Sequence, residues 1–133
     1  MQYPAYIAKS EKSGEYGIAF PDVDGCVASG NTFDEALING KAALEFHIEG
    51  MAIDGDNIPV AGCIEDYVSL PDYKQAVWAL VHVDVNQYLG KAVKLNITLP
   101  QYLLTRIDHM VKHSPDYGSR SGFLAETAIK ALF

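Results

Sequence analysis

Seven consecutive residues, Val93-Lys94-Leu95-Asn96-Ile97-Thr98-Leu99, constrain this chain more than any other feature. Val93, Leu95, Ile97 and Leu99 alternate without a fault with Lys94, Asn96 and Thr98, the period-two signature of a half-buried strand. Pro100 comes at once and forbids a paired interior strand from continuing. Residues 101–133 read as two helices, so this strand has no partner within its own segment. Its backbone donors and acceptors must nonetheless be paired. The economical partner is the same strand from a second copy of the chain. An antiparallel pair of copies sets two sets of Lys94, Asn96 and Thr98 on one face of a ribbon. Such a ribbon fits the major groove of B-DNA, where Lys and Asn side chains hydrogen-bond base edges. A solvated edge strand would show the same alternation, and residues 101–133 discriminate between the two.

Residues 101–113 space Leu103, Leu104, Ile107, Met110 and Val111 along one stripe of a helix, and Pro100 suits its start. Ser114-Pro115-Asp116-Tyr117-Gly118 interrupts it. Ser119 is then placed to cap a second helix that buries Phe123, Leu124, Ala128, Ile129 and Leu132. Two hydroxyls and a guanidinium at Ser119, Arg120 and Ser121, beside the free N–H groups of a helix start, make a candidate phosphate site. A serine cap alone would mean less than this order of strand, helix, break and capped helix. In that order, residues 91–133 resemble a ribbon-helix-helix DNA-binding domain. The resemblance implies that Lys94, Asn96 and Thr98 contact bases, that the second helix start holds the DNA backbone, and that the domain exists as an intertwined homodimer.

Charge divides the chain at the same place. Residues 91–133 carry six Lys and Arg against three Asp and Glu, while the chain as a whole has a net charge of −7. Residues 1–90 therefore hold a balance of −10, with four Lys and Arg against fourteen Asp and Glu. A cationic module suits DNA, and an acidic body repels phosphate and attracts a basic partner. With 49% hydrophobic and 20% charged residues the chain is globular. No apolar run is long enough to span a bilayer, no secretory leader is evident, and a cytoplasmic setting is expected. Cys26 and Cys63 lack metal-binding spacing and are expected as reduced, buried thiols.

Residues 1–90 read as α/β. Strands at 3–8 and 16–20 flank a polar hairpin, a third strand covers 26–29, and Thr32 with Glu35 forms a capping box. A helix to about Ala52 would bury Phe33, Ala36, Leu37, Leu44, Ile48 and Met51. Residues 53–62 read as a loop and 63–73 as a short helix or turn. A long strand at 75–85, apolar enough for burial on both faces, returns to the sheet. The body is thus a three-stranded meander, a helix and a returning strand, giving an α+β chain of two domains, 1–90 and 91–133.

Catalysis finds little support in these residues. Asp22 and Asp24 flank a turn rich in Pro and Gly, Glu45 and Glu49 suit a solvated helix face, and the first strand holds no carboxylate. His109 and His113 share a helix face but lack a third ligand, and His47 and His82 sit among apolar neighbours as core or interface residues. No cofactor, metal or enzymatic activity is expected.

The stretches Tyr16 to Cys26 and Gly30 to Ala36, the pair Ile58-Pro59, and the junction Tyr88-Leu89-Gly90-Lys91 leading into Asn96 to Pro100 are similar to HicB antitoxins along essentially the full chain. That resemblance implies a degenerate, non-catalytic ribonuclease-H-like body that binds a small basic mRNA-cleaving toxin of the HicA type. It further implies repression of the toxin–antitoxin operon through operator DNA, with dimers or with tetramers and larger assemblies. Tyr16, Phe20, Asp22 and Asp24 are the expected toxin contacts, chosen for exposure and charge. The alternative from the same residues is a stand-alone ribbon-helix-helix regulator whose body senses a ligand.

Overall fold

A computed structural model describes residues 1–133 as two compact units, 1–90 and 91–133, divided where the charge changes sign. In the first unit β1 (Gln2–Lys9), β2 (Tyr16–Ala19), β3 (Val27–Gly30) and β4 (Val77–His82) form one antiparallel sheet in the order β3-β2-β1-β4. The meander, helix and returning strand appear in the expected order. The β1–β2 register pairs Lys9 with Tyr16, and the connection closes through Gly14, whose φ of 72° glycine adopts at no steric cost.

The long helix α1 (Phe33–Asp54) begins where the Thr32 hydroxyl accepts from the Glu35 backbone N–H at 3.1 Å. It ends at Gly55 in the left-handed region, with the backbone N–H of Asp56 donating to the Met51 carbonyl. Two glycines let α1 approach the sheet. A Cβ on Gly30 would run into the Ala36 backbone, and one on Gly40 would lie 2.6 Å from the Ile18 side chain. Beneath this contact Tyr3, Ile7, Ile18, Leu44, Ile48, Val81 and Val83 form the core. Residues 63–73 resolve into α2 (Glu65–Val68) and a 3₁₀ turn at Pro71–Tyr73.

The returning strand departs from expectation. It covers 77–82 rather than 75–85, because Gln75 takes a positive φ of 64° and Val85–Tyr88 coil into a 3₁₀ turn capped by Asp84. Nor is it buried on both faces. As an edge strand it sends Val81 into the core and Trp78 into an aromatic cluster, while Val77 and Leu80 stay largely exposed. His82 is exposed for the same reason, and His47 is half-buried on α1. Cys63 is exposed in a loop, contrary to the expectation of two buried thiols, whereas Cys26 is buried and burial pushes its thiol pKa up.

In the second unit, residues 91–100 form no strand. Val93 is 82% and Leu95 72% exposed. Pro100 leads into α3 (Gln101–His113), and the Ser119 hydroxyl accepts from the Gly122 N–H at 3.0 Å to open α4 (Arg120–Leu132). Both helices lie where the apolar spacing placed them, yet only Ile107 is buried. No helix of the chain is long and apolar enough to cross a membrane.

Candidate functional site

Two surfaces emerge, one on each unit. In the second unit Lys94, Asn96 and Thr98 are all exposed, interleaved with apolar side chains of which only Leu99 is half-buried. Without a neighbouring strand, residues 93–98 are open to solvent, apolar and polar side chains alike.

Ser119, Arg120 and Ser121 meet at the start of α4 and are exposed. The Ser119 hydroxyl is occupied by its cap bond, which leaves the Ser121 hydroxyl and the first backbone N–H groups facing solvent. The Arg120 guanidinium is engaged as well. It donates from Nε to Asp108 Oδ1 at 2.6 Å and from Nη2 to Oδ2 at 2.8 Å, a bidentate pair joining α4 to α3. This pair holds the Asp108 carboxyl below the usual carboxylate range and Arg120 above its own. Asp108 lies twelve residues before Arg120. No local spacing pattern could have linked the two. On the outer side of α3 the rings of His109 and His113 lie 4.2 Å apart.

The first unit rearranges the expected contact set. Phe20 is a core side chain and is unavailable to a partner: the turn bonds Val23 N–H to Phe20 C=O and Cys26 N–H to Val23 C=O, folding Phe20, Val23 and Cys26 inward together. Tyr16 is half-buried with its ring edge-on to Phe33 at 6.2 Å and Lys9 Nζ 5.7 Å above it. Asp22 is a structural tether. It accepts from the Gly62 N–H at 2.9 Å and from the Tyr67 hydroxyl, fastening the β2–β3 turn to the segment before β4. That hydrogen bond, with burial adding to it, pushes the Tyr67 hydroxyl pKa up to about 12. Burial and the nearby Asp22 charge raise Tyr3 to about 12 as well, its hydroxyl donating to the Pro59 carbonyl at 2.7 Å. Asp24 is exposed at the rim of a shallow open hollow of about 220 Å³ lined by Tyr6, Tyr73 and Cys26.

An aromatic cluster that the sequence did not announce lies beside this hollow. Trp78 stacks on Tyr67 with an interplanar angle of 13° and meets Tyr73 edge-on at 5.3 Å, with Tyr6 at 5.8 Å. No three His, Cys, Asp or Glu side chains gather where they could hold a metal ion.

The family model for the HicB-like antitoxin of bacterial toxin-antitoxin systems matches residues 3–128. A 14.9 kDa protein from the rep-hol intergenic region of Haemophilus phage HP1 is 42% identical over 132 residues, covering 99% of this chain and 98% of that protein. The crystal structure of the Burkholderia pseudomallei antitoxin HicB is 35% identical, covers 100% of this chain and 99% of that one, and superposes with a TM-score of 0.71. A chain of the HicA3 and HicB3 toxin-antitoxin complex is 31% identical and covers 63% of this chain and 99% of its own, with a TM-score of 0.54. The chain belongs to the HicB-like antitoxin family.

Proposed function

We propose that this chain neutralises a small basic, mRNA-cleaving toxin of the HicA type through residues 1–90 and represses its own operon through residues 91–133. The first unit is then a partial ribonuclease-H-like body without catalysis of its own. It covers the toxin's RNA-cleaving surface in the cytoplasm, and its charge balance of −10 speeds the encounter. The second unit is a ribbon-helix-helix domain. Two copies of residues 93–99 pair antiparallel, bury their apolar edges on α3 and α4, and present Lys94, Asn96 and Thr98 to base edges. The start of α4, with Ser119, Arg120 and Ser121, rests on the DNA backbone. The observation that carries this reading is the alternating 93–99 segment, exposed from 93 to 98 and without a partner strand, in a chain that matches antitoxins from end to end.

The test has two arms. Co-expression with the small basic protein encoded beside this chain should rescue growth and yield a stable complex; no rescue and no complex contradict the first half. In gel shifts on the chain's own promoter, Lys94→Ala and Asn96→Ala should each weaken specific binding by about 10- to 100-fold. Unchanged binding by both variants removes the ribbon assignment.

A further inference from the structure

The solvent face of α1 carries a feature that folding the first unit does not explain. The helix already buries Ala36, Gly40, Leu44 and Ile48 against the sheet. On its opposite side Ile38 is 69%, Phe46 79% and Ile53 78% exposed. With exposed Ala42 and Glu49 they follow steps of four, four, three and four, one continuous stripe about 22 Å long. A helix apolar on two opposite sides has two surfaces to cover, and the core covers one.

We infer that this stripe, centred on Phe46 and Ile53, is where the basic toxin of the antitoxin reading docks. The inference rests on that reading and gives it a location different from the β2–β3 turn. Charge selects the occupant. Residues 33–56 hold six Asp and Glu against one Lys, and that one, Lys41, lies 3.9 Å from Glu45. Glu35, Glu45 and Glu49 share the sector of the apolar stripe, and Asp54 and Asp56 stand at its end. An apolar row with a carboxylate rim matches a basic protein with an apolar centre. A second copy docking the same stripe on itself, as a two-fold contact requires, would bring two carboxylate rims with Glu45 and Glu49 into one interface.

Phe46→Lys with Ile53→Lys tests this, because both side chains are exposed and the helix tolerates lysine. The probe is the purified small basic protein encoded beside the chain, titrated calorimetrically into parent and variant. A loss of about 100-fold or more in affinity, with promoter binding and the thermal unfolding of the first unit unchanged, is expected. Glu45→Lys with Glu49→Lys should weaken binding by about 10-fold and reduce its salt dependence. A parent chain that binds no toxin overturns the antitoxin reading and the docking stripe together. A parent that binds while the double-lysine variant binds equally well overturns the stripe alone. Toxin-free parent self-association that the double-lysine variant abolishes likewise overturns it, by giving the stripe to a second copy.

Discussion

The two units differ in how far each completes itself. In residues 1–90 the sheet and α1 enclose a core that runs from Tyr3 to Val85, with side chains such as Leu44 and Ile48 fully covered. In residues 91–133 one side chain, Ile107, is buried, while Val93, Leu95, Ile97, Tyr102 and Leu103 face solvent. The local signals are equally good in both: Thr32 and Ser119 each cap a helix through the hydroxyl. Regular helices therefore do not make a stable unit; apolar area removed from water does. The first unit covers a core of its own, and the second leaves most of its apolar side chains in water.

Leu95→Asp should have the largest effect on the second unit. If two copies bury this position, an unpaired carboxylate enters the shared core twice, the dimer dissociates, and promoter affinity falls by about 100-fold or more. Circular dichroism should show the second unit melting while the first stays folded. Leu44→Ala does the reverse. It should cost the first unit about 2–5 kcal/mol by denaturant unfolding and leave DNA binding within experimental error. Coupled losses in both units would contradict their independence.

Alkaline titration separates the units more gently. Tyr3 and Tyr67 stay neutral in the folded first unit up to about pH 12, against about 10 in the unfolded chain. Raised folded values mean that this stability is fully present below pH 10 and is lost as pH rises from 10 through 12. For buried Tyr3 the loss is at most about 3 kcal/mol. Unfolding midpoints measured from pH 8 to 12 should fall for the first unit, and less steeply in Tyr67→Phe. The smallest effect belongs to Asp108→Asn. It frees the Arg120 guanidinium and removes a negative charge beside the α4 start, so affinity for all DNA sequences should rise by less than about 10-fold, with a steeper salt dependence. A weaker affinity instead would make the ion pair a positioning device for Arg120.

Much of the fold was legible because its signals are local. The helical spacing of Leu103, Ile107 and Val111 and both hydroxyl caps lie within a few residues of what they determine, whereas the period-two run at 93–99 predicts a strand that these residues do not form. The hidden features are mostly long-range. Asp22 looks like turn chemistry until Gly62, forty residues away, and Tyr67 are seen to donate to it. Phe20 looks like an exposed aromatic until its turn folds it inward. The start of β4 depends on Gln75 adopting a backbone conformation unusual for its type. The outer stripe of α1 was present in the sequence, but the stronger inner row of Ala36, Leu44 and Ile48 masks Ile38, Phe46 and Ile53 on the outer side.

Sedimentation equilibrium of the full chain at micromolar concentration, beside its Leu95→Asp variant, bears most directly on this difference. A second unit completed only by its twin predicts a dimer, or an even multiple of it, for the parent and a smaller species for the variant. A parent that sediments as a monomer with a folded second unit would contradict it.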